Sequence, residues 1–469
     1  MSNFVTENTN VMADVQSMCW VIPGSIDMEG ILKKSPPDFN YKIDYFYYII
    51  DTITEASDLE DLDNNAGFVN LQAKRLQAFN YNYRKYIDYL LGKVIRRDGY
   101  IVGKKSFGYC INIKQEDDGL QAIPIQNLIA RRKVKQEHIE KKKSSGIKGK
   151  KYEYLTKWFN PQLKIDGEKA REKVEELFPP LTGGIRGTLK GKPSRTTKLY
   201  KSLVAIEKFE KQEFYNSVDG NIGRFHSNIA NIKKELRQFI TYNGQQLVNV
   251  DIKNSQPLFS TILLTRGFYN KSSKPINIYN IPSVLPYINT NITNINKIIS
   301  IIDHYIMIVE RSESLNSKGF QKYINLVNSD DFYRRMASII APNKPYVKAE
   351  MKTMMFMVFF SSNRFIGQPQ AHFKKLFKVN FPEVYEVFVK LKKKNHSALS
   401  HVLQRIESTV IVERSAKRIA EEHPNLPIFT VHDSIATIKG NEEYVSQIIQ
   451  EEIYIYTGVK AQIGFEHWG

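Results

Sequence analysis

The sequence predicts an α+β protein with more than one compact part. At 469 residues the chain exceeds one average domain, and with 42% hydrophobic residues it can bury a sizeable core. Apolar residues recur at helical spacing along much of the chain, whereas two short apolar runs of strand length hold Asp251 and Asp433. Helices and a sheet are therefore expected together. No internal repeat is visible in the sequence.

Charge and cysteine content narrow the class of partner and the compartment. The net charge of +18 favours a polyanion such as nucleic acid, with an anionic membrane surface or a generally basic solvated surface as the alternatives. Two cysteines, Cys19 and Cys110, do not suffice for a zinc cluster or a disulfide framework, and they fit a reducing compartment. Neither a signal peptide nor an apolar run of about 18 residues is visible. We therefore expect a cytoplasmic protein without a membrane span.

The first 205 residues are expected to be mostly helical. Residues 1–40 contain several prolines and predict a loose lead-in. Residues 130–151 form the most basic run and favour a loop that contacts phosphates, with an ordinary solvated loop as the alternative. Helices are predicted at residues 71–95, 168–177 and 196–214, and a strand at residues 100–113.

The most informative stretch is residues 247–259. Its first six residues are mainly apolar and predict a buried strand, and Gln256-Pro257 opens a helix with proline near its first turn. Asp251 thus lies at the end of an apolar strand. A carboxylate there is costly unless a cation or a hydrogen-bond donor faces it.

A second run, residues 428–438, has the same character, because two apolar β segments flank a polar His-Asp-Ser centre. We expect Asp251 and Asp433 to meet in space and to hold metal ions. Mg²⁺ prefers oxygen ligands and usually binds through one or two carboxylates plus substrate phosphates. The backbone carbonyl of Ile252 can add a ligand. Two such ions, about 4 Å apart, suit phosphoryl transfer.

A third stretch carries a row of side chains four residues apart: Lys348, Lys352, Phe356 and Phe360. Four residues turn a helix by about 400°, so the row forms one slowly winding stripe. A basic start and an aromatic finish suit a triphosphate at one end and a stacked base at the other. The alternative is an ordinary amphipathic helix with its aromatic residues in the core.

The rest of the C-terminal half completes the predicted pattern. Arg224 precedes the strand of Asp251 and is placed to approach the same site, unless it is a surface or capping residue. A long helix at residues 401–421 carries Gln404 and Glu407 one turn apart. Further helices are predicted at residues 233–240, 298–310, 330–337 and 442–456, a strand at residues 460–465 and an irregular insertion at residues 270–296.

Three of these stretches, in this order, resemble the palm and fingers motifs of family A DNA polymerases and the related phage-type single-subunit RNA polymerases. The run around Asp251 resembles motif A. The Lys348–Phe360 row, followed by Ser361, resembles motif B, and Val431-His432-Asp433-Ser434 resembles motif C. Two further matches are the Asp331-Phe332-Tyr333 helix start and the helix before motif C. The resemblance covers roughly residues 220–469.

The departures from the family pattern bear on sugar choice. Lys348 replaces the usual Arg of motif B, and Phe360-Ser361 replaces Tyr-Gly. Gln256 falls where the DNA enzymes carry a Glu that blocks the ribose 2′ hydroxyl, and it leans weakly towards DNA. Ser434 and the small size of the chain favour similarity to the RNA enzymes. The resemblance leaves DNA and RNA synthesis, including primer synthesis, as close rivals.

The resemblance also implies roles for individual residues. Asp251, Asp433 and the Ile252 carbonyl would bind two Mg²⁺ ions, with Mn²⁺ as an alternative. Lys352 would contact the triphosphate and protonate the leaving pyrophosphate, and Lys348 would hold phosphate oxygens.

The implied substrate contacts are more widely spread. Phe356 and Phe360 would pack against the incoming base and sugar. His432 would contact the primer end, unless it is only a hydrogen-bonded turn residue. Gln404 lies on the helix that resembles the primer- and template-contacting helix of the family.

The resemblance implies a right-hand polymerase with an antiparallel-sheet palm, helical fingers and a thumb-like N-terminal region. The implied divisions are residues 1–205 (accessory, nucleic-acid-binding), 206–265 (palm), 266–395 (fingers) and 396–469 (palm). Such an enzyme would add nucleoside triphosphates to the 3′ hydroxyl of a primer or product strand on a nucleic-acid template. A non-catalytic nucleic-acid-binding protein on a decayed polymerase fold is the alternative. A metal-dependent nuclease would need a further acidic cluster.

Overall fold

A computed structural model gives the fold of most of the chain. It describes residues 19–56, 68–71, 73–99, 107–112, 120–134, 150–178, 195–269, 276–281, 292–310, 319–342, 345–393 and 395–469. Most of the basic run, residues 135–149, lies outside the described residues, as does most of the insertion predicted at residues 270–296. Among the helices that are described, none has the length and apolar character needed to cross a bilayer.

The described elements alternate helices with short strands. The strands are β1 Cys19–Pro23, β2 Val69–Asn70, β3 Ile95–Arg97, β4 Gly108–Ile111, β5 Leu120–Pro124, β6 Leu163–Ile165, β7 Asn216–Val218, β8 Phe225–Ser227, β9 Ile240–Tyr242, β10 Gln245–Ile252, β11 Ile428–Val431, β12 Ser434–Ile438 and β13 Ile463–Trp468. The helices are α1 Met28–Lys34, α2 Ile43–Ala56, α3 Ala73–Phe79, α4 Tyr83–Leu90, α5 Glu153–Thr156, α6 Gly167–Leu177, α7 Arg195–Glu210, α8 Asn228–Asn231, α9 Ser255–Ser260, α10 Ile292–Glu310, α11 Gly319–Val327, α12 Phe332–Ile340, α13 Lys348–Phe360, α14 His372–Asn380, α15 Pro382–Leu391, α16 Ala398–Ser408, α17 Ala416–Glu422 and α18 Glu442–Thr457. Shorter 3₁₀ turns lie at Lys150–Tyr152, Lys234–Phe239, Thr261–Leu264, Arg266–Tyr269, Ile278–Asn280, Asn363–Gly367 and Pro369–Ala371.

The chain divides into two compact units, and the first contains most of the N-terminal half. It comprises Met1–Lys148, Asn160–Asn216 and Ser227–Asn243. In it β1 pairs antiparallel with β5, β4 lies between β2 and β3, and β6 pairs with β9. Helix α2 packs on β1, where the Trp20 indole N–H donates to the buried Asp44 carboxylate at 2.7 Å. In its described residues this region is therefore mostly helical, as predicted from the sequence, with several small sheets added.

The second unit comprises Gly149–Phe159, Ser217–His226 and Gly244–Gly469, and an antiparallel sheet lies at its centre. Strand β10 pairs with β12 along one edge and with β13 along the other, and β12 pairs in turn with β11. Residues 247–250 are buried without alternation, as expected for a strand covered on both faces. Helix α18 packs on β10 and β12, and it ends at Gly458 in the left-handed conformation that glycine adopts without strain.

Helices of the second unit pack beside this sheet in a chain of contacts. Helix α9 packs on α16, and α13 packs on α12, α14 and α16. Helix α16 continues through a π-helical segment, Thr409–Ser415, into α17. A π segment has one residue more per turn, which rotates the side chains that follow it relative to an uninterrupted α-helix. The helix predicted at residues 401–421 is thus present with a distortion in its middle.

Several sequence predictions need correction. The lead-in predicted at residues 1–40 contains β1 and α1 in its described part. The helix predicted at residues 71–95 is broken at Asn80–Asn82, because the Asn80 side chain accepts a hydrogen bond from the Asn82 N–H and ends α3. The segment predicted as a helix at residues 233–240 is a 3₁₀ helix. The other predicted helices are confirmed within a few residues at their ends, apart from the one at residues 298–310, where α10 begins six residues earlier.

Candidate active site

The sheet of the second unit brings the segments of Asp251 and Asp433 together. Asp251 is paired directly with Ser434, the residue after Asp433. The Ile252 N–H also donates to the Asp433 carbonyl at 3.4 Å. Asp433 lies in the two-residue turn between β11 and β12, beside His432, which is exposed and has a φ of 54°. The two carboxylates singled out in the sequence therefore come from β10 and from the turn that leads into the adjacent strand β12.

Glu407 forms the centre of a hydrogen-bonded cluster next to these strands. It lies on α16, and its side chain is 1% exposed. An Arg224 guanidinium nitrogen contacts one carboxylate oxygen at 2.5 Å. The Ser255 hydroxyl lies 3.1 Å from the other oxygen, and the Gln256 amide nitrogen donates to that same oxygen. One buried carboxylate thus joins a loop, the start of α9 and the middle of α16.

Ser255 links this cluster to Asp433. Its hydroxyl lies 2.6 Å from a carboxylate oxygen of Asp433, closer than to Glu407. A hydroxyl carries a single proton, so Ser255 can donate to only one carboxylate at a time. Burial raises the pKa of Glu407, the negative charge of Asp433 raises it further, and Arg224 and Gln256 oppose this rise. The charge of Asp433 therefore acts on Glu407, and the Ser255 hydroxyl lies within hydrogen-bond distance of both carboxylates.

The loop before β8 holds Arg224 against Glu407. The Asp219 side chain accepts hydrogen bonds from the Asn221 and Ile222 N–H groups, both at 2.7 Å. Gly223 has a φ of 72°, and a Cβ atom at this position would lie 1.8 Å from a guanidinium nitrogen of Arg405. The left-handed backbone favours glycine here, because other residues adopt it only with strain. The loop geometry therefore depends on a residue with no side chain.

Helix α13 presents the predicted stripe on its outer face. Lys348 and Lys352 are exposed, Phe356 is 59% exposed, and Phe360 is half-buried. The rings of Phe356 and Phe360 lie 5.4 Å apart between centroids. The core face of α13 is formed instead by other side chains: Met351, Met354, Met355, Val358 and Phe359. The alternative that places the stripe aromatics in the core is thus wrong for Phe356.

Tyr333 lies near both Lys352 of the stripe and Asp433. It belongs to the first turn of α12, which is capped by Asp331. Burial, the charge of Asp433 and Tyr346 together raise the pKa of Tyr333 to about 12. The Lys352 ammonium lies 5.9 Å from the centroid of the Tyr333 ring. Tyr333 therefore lies in the field of Asp433 while its ring faces Lys352.

The remaining predicted residues occupy the edges of this region. Gln404 is half-buried on α16, one turn before Glu407. Ile252 is buried and paired with Ile463 of β13. Ser434 is buried, and its hydroxyl donates to the Val431 carbonyl at 2.7 Å. Ser434 therefore stabilises the turn that carries Asp433.

The sequence analysis named Glu407 and Tyr333 within motif-like stretches but assigned them no role in the site, and it missed Ser255. A usable signal existed for Glu407, because it lies on the apolar face of its helix between Leu403 and Val410. A carboxylate on a buried face requires partners, and these partners are commonly functional. Ser255 gave no comparable signal, since serine at the start of a helix is ordinary capping chemistry.

The carboxylates fit a hard divalent cation in number and type. Asp251 in β10 and Asp433 in the adjoining β11–β12 turn supply two carboxylates, which matches the usual protein contribution to a Mg²⁺ site completed by substrate phosphates. Among the residues that the structure describes, no group of three or more His, Cys, Asp or Glu side chains is arranged to hold a metal on its own. Any metal here would therefore need further oxygen ligands, such as substrate phosphates.

Comparison with known proteins yields resemblances to solved structures. No protein-family model matches the chain, and no curated protein matches it either. Among solved structures, the chain is similar to the polymerase domain of Pol1 from M. smegmatis, determined in complex with DNA primer-template and dNTP. The TM-score is 0.37 and the sequence identity 10%, over 67% of this chain and 69% of that chain. A TM-score of this size is a weak resemblance.

Proposed function

We propose that the chain is a template-dependent nucleic-acid polymerase of the right-hand type, with the sheet of β10–β13 as palm and α12–α15 as fingers. The observation that carries this proposal is the direct pairing of the strand ends that hold Asp251 and Asp433. Two strand-end carboxylates beside a lysine-bearing helix suit phosphoryl transfer from a triphosphate. Residues 1–205 would contribute accessory nucleic-acid contacts.

Each residue of the site has a role in this proposal. Asp251, Asp433 and the Ile252 carbonyl would hold two Mg²⁺ ions, with Mn²⁺ as an alternative. When bound, these ions would activate the 3′ hydroxyl and stabilise the leaving pyrophosphate. Lys352 would neutralise charge that develops on the triphosphate and donate a proton to the leaving group. Lys348 would hold phosphate oxygens farther along the stripe.

The substrate contacts would lie on the exposed side of this arrangement. Phe356, which is exposed beside Phe360, would stack on the incoming nucleotide. His432 projects from the turn that carries Asp433 and would contact the primer end. Gln404 would contact primer and template from α16. Arg224 and Gln256 would act on substrate through the Glu407 cluster that already engages their side chains.

Two residues that bear on sugar choice are engaged within the protein. The Ser434 hydroxyl bonds to backbone, and the Gln256 amide nitrogen bonds to Glu407. Both DNA and RNA therefore remain candidate products. The proposed partners are a nucleic-acid template, a primer or product strand and nucleoside triphosphates, which the net charge of +18 favours. A cytoplasmic location remains part of the proposal and rests on the low cysteine content.

An extension assay tests the proposal. The protein is incubated with primed and unprimed DNA or RNA templates, Mg²⁺ or Mn²⁺, and either dNTPs or rNTPs. Asp251→Asn and Asp433→Asn should abolish extension, while Glu421→Gln on the exposed side of α17 should leave it unchanged. Template binding without extension under any condition would support the decayed, non-catalytic alternative. Extension that survives both aspartate substitutions would show that the site is placed wrongly.

A further inference from the structure

Two buried lysines converge on the carboxyl end of α13. Lys374 comes from α14 and Lys392 directly follows α15, and their side chains are 0% and 2% exposed. Lysine is almost never buried to this degree without a partner. Both ammonium groups point at the last turn of α13 and at the two serines that follow it.

The contacts of the two amines are backbone carbonyls and one hydroxyl. The Lys374 amine bonds the Ser361 hydroxyl at 2.9 Å and the Ser362 carbonyl at 2.8 Å. The Lys392 amine donates to the Val358 carbonyl at 2.6 Å and to the Ser361 carbonyl at 3.1 Å. The last carbonyls of a helix have no partner within it and carry the negative end of its dipole. Lys392 therefore caps the last turn of α13, and Lys374 holds the two serines that directly follow it.

Among the residues that the structure describes, the pair has no acidic counterpart. The only titratable group that shifts the pKa of each amine there is the other amine. Burial lowers the pKa of Lys374 to about 8. Burial, together with the charge and hydrogen bond of Lys374, lowers the pKa of Lys392 to about 7. Two adjacent buried ammonium groups repel each other. The pair therefore holds the helix best when at most one of the two amines is charged.

The last turn of α13, which the lysines contact, also carries Phe360, the aromatic end of the stripe. Ser361 directly follows Phe360, and Val358 precedes it by two residues. In the same turn, the ring of Phe359 packs on Phe388 of α15 at 5.6 Å between centroids. The lysines and this ring contact together fix the last turn. A shift of the last turn would therefore move Phe360 and the neighbouring Phe356.

We propose that Lys374 and Lys392 are positioning residues of the nucleotide site, because together they fasten the carboxyl end of α13 and so hold Phe356 and Phe360 in place. This inference rests on the proposed polymerase function for its catalytic consequence, although the fastening itself does not. Neither lysine touches substrate. Both act through the backbone of α13.

Nucleotide kinetics test the catalytic consequence. Lys374→Met and Lys392→Met should raise KM for the nucleotide by about tenfold or more with a smaller change in kcat, because a displaced stripe weakens binding. In the wild type, KM should rise as the pH falls below about 7, where both amines become protonated. The Lys392→Met variant should not show this rise in KM at acid pH, because the Lys374 amine then has no second ammonium group beside it. The control is Lys375→Met, because Lys375 is exposed on the same helix next to Lys374.

Hydrogen exchange tests the fastening without requiring activity or a variant. Exchange of the amides of residues 359–362 in the wild type, corrected for the intrinsic pH effect, should accelerate as the pH falls through about 7. Lys392→Met should abolish this acceleration, and Lys375→Met should keep it. One outcome is that the wild-type protein shows this acceleration of exchange and yet extends no primer. That result would support the role of the lysines in holding the end of α13 and would refute only the polymerase function. If the enzyme is active, the kinetics and pH profiles of Lys374→Met and Lys392→Met can be compared with those of Lys375→Met. Identical kinetics and pH profiles in all three variants would overturn the positioning role.

Discussion

Replacing Glu407 by leucine should destabilise the second unit strongly. The substitution leaves the Arg224 guanidinium without its partner, and Ser255 and Gln256 each lose an acceptor. Removing one partner of a buried ion pair costs roughly 3–5 kcal/mol. The Arg224 side chain is 20% exposed, so water can partly solvate the orphaned charge. We therefore expect a loss of about 3 kcal/mol, the lower end of that range.

Tryptophan fluorescence can isolate this loss. The chain has three tryptophans, of which Trp20 belongs to the first unit and Trp158 and Trp468 to the second. In a Trp20→Phe background, urea unfolding followed by fluorescence therefore reports the second unit. The control variant is Glu421→Leu. Glu421 pairs with Lys417 on the surface, and the Glu421 and Lys417 side chains are 65% and 58% exposed, so this substitution should lower the free energy of unfolding by less than about 1 kcal/mol.

A double-mutant cycle attributes the loss to the ion pair. Glu407→Leu and Arg224→Met are measured singly and together, and the double variant should be less destabilised than the sum by about 2 kcal/mol. Additivity within about 0.5 kcal/mol would mean that the two side chains do not interact energetically. A Glu407→Leu cost equal to that of Glu421→Leu would refute the view that Glu407 is the centre of the cluster.

Further outcomes follow from burial and from the pKa shifts. Phe359→Ala should cost roughly 3–5 kcal/mol in urea unfolding because its ring is buried, whereas Phe356→Ala should stay within about 0.5 kcal/mol and act mainly on nucleotide KM. The folded pKa of Glu407 lies above its unfolded value, so its contribution to stability is unfavourable at neutral pH and improves as the pH falls towards about 4.3. Glu407→Gln should remove this gain in urea midpoints measured between about pH 5 and 8. The folded pKa of Lys392 lies below its unfolded value, so the contribution of Lys392 to stability should rise from about pH 7 to 10 by roughly 1.4 kcal/mol per pH unit. Lys392→Met should reduce this slope, and an unchanged slope would contradict the burial of the amine.

Local patterns predicted the elements that carry the site. The apolar run before Asp251 predicts β10, and the flanks of His432 and Asp433 predict the β11–β12 hairpin. The four-residue spacing from Lys348 to Phe360 predicts the outer stripe of α13. These features depend on backbone geometry and on side-chain period, which are properties of short segments. The assignment of catalytic and metal-binding roles to these residues remains a prediction.

Long-range packing decided the rest. Arg224 and Glu407 are 183 residues apart, Gln256 and Glu407 are 151 apart, and Ser255 and Asp433 are 178 apart. No local period encodes such pairings, because they depend on which helix packs beside which strand. Lys374 has exposed lysines close by in sequence, and only the packing of α14 and α15 around the end of α13 turns its amine inward. The sequence thus determined that β10 carries Asp251 near its end and that the stripe from Lys348 to Phe360 runs along α13. The tertiary structure alone decided which charges are buried and what faces them, because burial arises from the packing of elements that are distant in the chain.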